Sequence, residues 1–157
     1  MPTITAGTNS YVTLASATDY CDNRGLTAWN DANDYDRETA LLRGMVYIES
    51  KMYKGQKYSE LQALKWPRQN ATDEDNVAIA TSTTPQAIKD AQCRAAYEEL
   101  VSPGVLQPNL TRDSFTSREK VDVIDISYER GRNSTVFQVI DGYLRGYIMQ
   151  TGRLLRC

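Results

Sequence analysis

Apolar residues recur at helical spacing in four stretches of this chain and alternate in a fifth. Thr13 followed by Leu14, Ala17 and Cys21 predicts a short helix from Leu14 to about Asn23, capped by the Thr13 hydroxyl and stopped at Gly25. A longer pattern follows. Asn33 or Asp34 caps a helix reaching about Met52, in which Leu41, Met45, Ile48 and Met52 form one buried row, widened by Leu42 and Val46. Between these two helices Trp29 stands in a turn-rich stretch, as an anchor whose ring packs on the helix after it. Thr84 and Pro85 read as cap and first-turn proline of a third helix ending near Val101. Its alanines, Ala87, Ala91, Ala95 and Ala96, allow another helix to approach closely. A last helix runs from about Thr135 to Ile148, with Val136, Ile140, Tyr143 or Leu144, and Tyr147 inward.

The remainder is irregular or extended. TITAGTNSY is polar and reads as an extended arm or edge segment; Tyr53 to Tyr58 reads as a turn. Ser59 caps a short helical turn through Leu61 and Leu64 up to Trp66, which Pro67 terminates by forcing the preceding residue into an extended conformation. Residues 69–84 form an exposed loop with one apolar patch, Val77 to Ile79. In KVDVIDISY the alternation of Val121, Val123, then Ile124, Ile126 and Tyr128 predicts one strand with a bulge between Val123 and Ile124. Its backbone needs a partner, either in the same chain or on a neighbouring subunit, which makes Lys120, Val121, Val123, Ile124 and Ile126 candidate inter-subunit contacts. The expected architecture is mainly α, a compact helical bundle with a short β element and extended N- and C-terminal arms. Residues 1–148 form the helical domain with its N-terminal arm, and residues 149–157 an extended tail.

Charge narrows the function. Eighteen basic and twenty acidic residues give a formal charge of −2, which argues against a broad basic face coating duplex nucleic acid. Residues 142–157 nevertheless carry Arg145, Arg153 and Arg156 and no acid, and Leu154 and Leu155 lie among those arginines with no local reason to be buried. These leucines suit insertion into another molecule. No apolar run reaches the length of a membrane helix and no signal-peptide pattern opens the chain, so a protein soluble and intracellular when made, without membrane attachment, is expected.

The chain has no histidine, and Cys21, Cys93 and Cys157 are widely separated, which removes the usual zinc sites and every histidine-based mechanism. The acidic clusters Asp31-Asp34-Asp36 and Asp73-Glu74-Asp75 fall in caps and solvated loops, not in an apolar pocket of the kind a hydrolytic carboxylate pair needs. Glycine-rich phosphate loops and nucleophile elbows are also absent from the sequence. A non-enzymatic protein is expected, with no catalytic residue, cofactor or metal. Tyr53 and Tyr58 beside Lys51, Lys54, Lys57, Lys65 and Arg68 combine stacking and phosphate-neutralising groups, as single-strand binders do. An ordinary lysine rim around a buried aromatic gives the same pattern. In LKWPRQN, Trp66 and Pro67 read as a structural anchor, and Arg68 as a cation for a carboxylate of the next loop, of an adjacent subunit, or for phosphate.

NSYVTLASATDYCDNRG, DRETALLRGMVYIE, YKGQKYSELQALKWPRQN, TPQAIKDAQCRAAYEEL and EKVDVIDISY, in this order, resemble the head-to-tail connector (adaptor) proteins of tailed bacteriophages. That family includes relatives labelled DnaT-like single-strand DNA-binding proteins, and the likeness extends to about residue 147. Its Trp-Pro-Arg falls on Trp66, Pro67 and Arg68, and its Lys-Val on Lys120 and Val121; Asp122 stands where relatives often have glycine. The resemblance implies a virion protein, made in the host cytoplasm and placed at the head-tail junction, commonly twelve to a homo-oligomeric ring. Such a ring docks under the portal protein, meets tail or nozzle proteins, and lets double-stranded DNA pass during packaging and ejection. Arg153, Leu154, Leu155, Arg156 and Cys157 resemble the segment with which some connectors grip the portal. Single-stranded DNA binding is the alternative that the other label implies.

Overall fold

The computed structural model describes residues 2–108, 118–121, 124–127 and 137–149. Its order is α1 (Leu14–Asp22), α2 (Ala28–Asp31), α3 (Asp34–Glu49), β1 (Gln56–Lys57), β2 (Arg68–Gln69), α4 (Gln86–Val101), β3 (Arg118–Val121), β4 (Ile124–Ser127) and α5 (Gln138–Leu144). The architecture is mainly α with short β elements, as predicted. α4 packs most extensively on α3 and next on α5.

Local capping sets the helix starts. The Thr13 hydroxyl accepts from the Ser16 N–H at 3.2 Å, and Asn33 Oδ1 accepts from the Asp36 N–H at 3.0 Å, each satisfying a donor that the first turn leaves free. Gly25 lies at φ +64°, where a glycine turns the chain out of α1. Trp29 is fully buried in α2; its indole N–H donates to Thr18 Oγ1 at 3.1 Å, and Arg37 Nε of α3 donates to its carbonyl at 2.8 Å. Trp29 thus touches α1 through its indole and α3 through its backbone carbonyl. α4 starts differently from the prediction: Pro85 itself takes the cap position, at φ −55° and ψ 143°, and no side chain caps the helix. Thr84 lies one residue too early for that task.

The buried face of α3 is also rotated from the expected one. α3 stops at Glu49, so Met52 is off the helix and 64% exposed, and Val46 points outward at 58%. The inner positions are Ala40, Leu41, Gly44, Tyr47 and Ile48. Gly44 explains the rotation. A Cβ there would lie 2.7 Å from the Ala96 backbone nitrogen and 3.0 Å from the Ala95 carbonyl carbon, so the two helices meet backbone to backbone across the alanines of α4.

The crossing separates two apolar clusters. One gathers Ile48, Tyr53, Trp66, Ile88, Ile140 and Leu144; the other gathers Cys21, Trp29, Ala40, Leu41, Cys93 and Ala96. Buried Gln92 of α4 fastens the N-terminal segment to both helices: it accepts from the Tyr11 N–H at 2.8 Å and donates to Ser10 Oγ at 2.9 Å and to the Leu41 carbonyl at 3.3 Å. Residues 2–9 run largely exposed before this point, with Ile4 leaning on the second cluster.

The predicted strand over KVDVIDISY is a hairpin. β3 and β4 pair antiparallel, with Arg118 opposite Ser127 and Val121 opposite Ile124. β3 and β4 lie on either side of the expected bulge, so the partner strand comes from the same segment. Val123 lies outside the described residues. α5 is shorter than the predicted helix; Ile140 and Leu144 are its buried positions, and residues 135 and 136 are outside the described range. Beyond it the chain turns back, the Lys54 N–H donating to the Tyr147 carbonyl at 2.9 Å and the Met149 N–H to the Met52 carbonyl at 2.8 Å. Arg153, Leu154, Leu155, Arg156 and Cys157 lie outside the described residues.

Candidate functional site

After α3 the chain makes a tight return through Gly55, held at φ +73° with its would-be Cβ 2.4 Å from the Gln69 carbonyl oxygen. Only glycine fits there. β1 and β2 then pair, with Lys57 opposite Arg68, and residues 58–67 bulge out between them. The predicted turn starts at Ser59, whose hydroxyl accepts from the Leu61 N–H at 3.2 Å and whose carbonyl accepts from the Gln62 N–H at 3.4 Å, but it does not run on as a helix to Trp66, because the Gln62 side chain takes over the bonds that follow. It accepts from the Ser59 N–H at 3.0 Å and donates to the carbonyls of Leu64 at 2.8 Å and Pro67 at 3.0 Å.

Trp66 and Arg68 close this return from opposite sides. The Trp66 ring is 2% exposed and packs edge-on against Tyr53, centroids 5.7 Å apart, and Tyr147, at 6.0 Å. Its backbone N–H donates to the Tyr11 hydroxyl oxygen at 3.1 Å, while that hydroxyl donates to Glu49. Glu49 also accepts the Lys65 N–H at 3.0 Å. Burial, and then the neighbouring Glu49, raise the Tyr11 and Tyr53 hydroxyls above their ordinary pKa, so both remain protonated donors.

Arg68 is spent inside the subunit. Its guanidinium donates to the carbonyls of Lys54 at 2.7 Å, Gly55 at 2.6 Å, Lys65 at 3.2 Å and Tyr53 at 3.4 Å. Burial lowers its pKa from the usual value. The partner anticipated as a carboxylate or phosphate is a ring of backbone oxygens, a choice set by loop geometry that sequence spacing does not reveal. Lys51 donates to the Tyr47 hydroxyl at 2.9 Å and Lys65 to the Lys51 carbonyl at 2.7 Å. Of the aromatics flanked by these lysines, Trp66 and Tyr53 are buried; Tyr58 is 53% exposed.

The acidic clusters serve the backbone. Asp73 Oδ1 accepts from the N–H groups of Asp75 at 3.0 Å and Val77 at 2.9 Å, and Asp34 pairs with Arg37 at 3.2 Å. Among the described residues no group of three acids or cysteines is placed to hold a metal ion, and no helix is long and apolar enough to cross a membrane. Burial pushes the thiols of Cys21 and Cys93 up to about 11 and about 12, which suits the buried packing role expected of them. The residues expected to anchor the fold, Trp29, Trp66, Pro67 and Arg68, do not form one cluster. Trp29 belongs to the second core cluster, and Trp66 to the first.

A family model described as "Putative DnaT-like ssDNA binding protein" matches residues 2–157. Of the two labels joined in the resemblance, this match carries the DnaT-like one. No curated protein and no solved structure matches the chain.

Proposed function

We propose, from the premise that the chain belongs to the DnaT-like ssDNA-binding family, that it is a non-enzymatic structural subunit of a phage particle. In this reading copies assemble into a ring at the head-tail junction, bind the portal on one side and tail proteins on the other, and leave a passage for the double-stranded genome. The observation that carries it is the β3–β4 hairpin, which pairs with no other strand among the described residues. A two-stranded hairpin is marginal in water, and its open edges offer backbone donors and acceptors to a neighbouring subunit. The formal charge of −2 agrees with a protein that lets DNA pass without gripping it.

Removal of residues 150–157 tests the portal contact. The cut lies beyond Met149, whose N–H bonds Met52, so the subunit is expected to keep its thermal midpoint. Capture by the purified portal protein is expected to be lost. Capture equal to that of the full chain would sink the assignment of Arg153, Leu154, Leu155, Arg156 and Cys157 to the portal.

The family's description favours a second reading, single-stranded DNA binding. The exposed Tyr58 and the lysines around it are the groups that would serve it. With Trp66 and Tyr53 buried and Arg68 held by carbonyls, we expect weak affinity for an oligothymidine that falls steeply with salt. Fluorescence anisotropy measures this. Tight binding at physiological salt, abolished by Tyr58→Ala with Lys57→Ala, would make DNA binding the function.

A further inference from the structure

We infer that the subunit docks head-to-tail on a second copy of itself, Leu61 and Tyr58 of one entering the cleft between α2, α3 and the end of α4 of the next. The inference rests on the ring reading and supplies its lateral contact.

Leu61 is 96% exposed, yet its loop is ordered by bonds. The Leu61 N–H donates to Ser59 Oγ at 3.2 Å, Lys57 Nζ to the Gln62 carbonyl at 3.3 Å, and the Tyr58 N–H to the Pro67 carbonyl at 3.2 Å. With the Gln62 bonds already described, the loop presents a leucine and a tyrosine on a rigid base. Such preorganised apolar groups lose little entropy on docking.

The cleft offers apolar walls and a net negative charge. It measures about 550 Å³, has Ala28, Tyr35, Val101 and Pro103 among its walls, and is lined by three acids, Asp31, Asp36 and Glu99, against one base, Arg43. Tyr35 and Val101 are each 54% exposed. Residues 51–68 hold four lysines and one acid beside Arg68, which the carbonyls hold, whereas residues 28–40 hold four acids and one base and Arg43 adds a second base to the cleft wall. Among the described residues, Arg37–Asp34 is the one ion pair in either stretch. The loop therefore keeps a net positive charge and the cleft a net negative one.

Position decides the symmetry. The loop hangs from the C-terminal end of α3 through Glu49, and the cleft follows α3 from Tyr35 to Arg43, so the two lie toward opposite ends of a helix about 24 Å long. Asp34 and Asp36 in its first turn also agree with the helix dipole. Two different patches that complement each other make a heterologous contact, which closes into a ring when the rotation permits. Nucleic acid would use the same lysines, but it gives no account of an exposed leucine or of an acidic cleft on the same subunit.

Native mass spectrometry and light scattering of the full chain test the contact. Leu61→Asp is expected to weaken self-association by about tenfold to a hundredfold with an unchanged thermal midpoint. Lys57→Glu and Asp31→Lys should each weaken it about fivefold. An equimolar mixture of these two should recover wild-type assembly, since every alternating contact again joins opposite charges. Wild-type association by Leu61→Asp would overturn the inference and leave the ring to another contact. Loss of oligothymidine binding by Leu61→Asp, with self-association intact, would assign the loop to DNA. A wild-type chain that stays monomeric at every concentration would overturn the self-contact, while the portal capture assay judges the adaptor reading independently.

Discussion

Replacing Trp66 with alanine is expected to lower the stability of the folded chain by about 3–5 kcal/mol, read as a fall in the urea midpoint. The ring occupies the space between Tyr53 and Tyr147 and joins the return after α3 to the segment after α5. Removing it leaves a cavity in the first core cluster and takes away the ring contact with Tyr147, leaving the segment after α5 held to residues 52–54 by its backbone bonds. The same variant separates the two roles a tryptophan in this motif can have. A stacking platform would lose about 1–3 kcal/mol of single-strand affinity per base with the fold intact. Loss of stability is the expected result; an unchanged urea midpoint with a large fall in oligothymidine affinity would reverse the assignment.

Gly44→Val is the second large effect, expected to cost about 3 kcal/mol or more. The Cβ would meet Ala96 backbone at 2.7 Å, and backbone cannot move aside as a flexible side chain can. α3 and α4 would have to separate, loosening both clusters at once. Gly44→Ala gains about 1 kcal/mol of helix propensity and so falls less far, but it is still expected to melt below wild type. If Gly44→Ala is as stable as wild type, the close crossing is wrong.

Features governed by adjacent residues were legible in the sequence. Thr13 and Asn33 cap their helices because a cap needs only its own first turn, and the alanines of α4 announced a close neighbour. Gly44 escaped because the row Leu41, Met45, Ile48 and Met52 supplied a plausible apolar stripe; a glycine inside a helix, set against an alanine-rich partner, was the available signal. A hairpin and a bulged strand interrupt the alternation of apolar residues alike, so the sequence does not tell β3 and β4 from one bulged strand. Arg68 could not be placed, since its four carbonyl partners come together only after Gly55 and Pro67 have shaped the loop. Trp66 as an anchor was visible from the proline beside it, whereas the Tyr11–Glu49 bridge beneath it joins residues far apart in the chain.

The adaptor reading turns on where the protein resides and how its copies are arranged. Electron cryomicroscopy of the assembled particle measures both directly. The account predicts a closed ring between portal and tail, with the 58–64 loop of each subunit seated against the α2–α3 cleft of the next. A particle with other chains filling that junction, and this protein found only on single-stranded DNA in the infected cell, would contradict it.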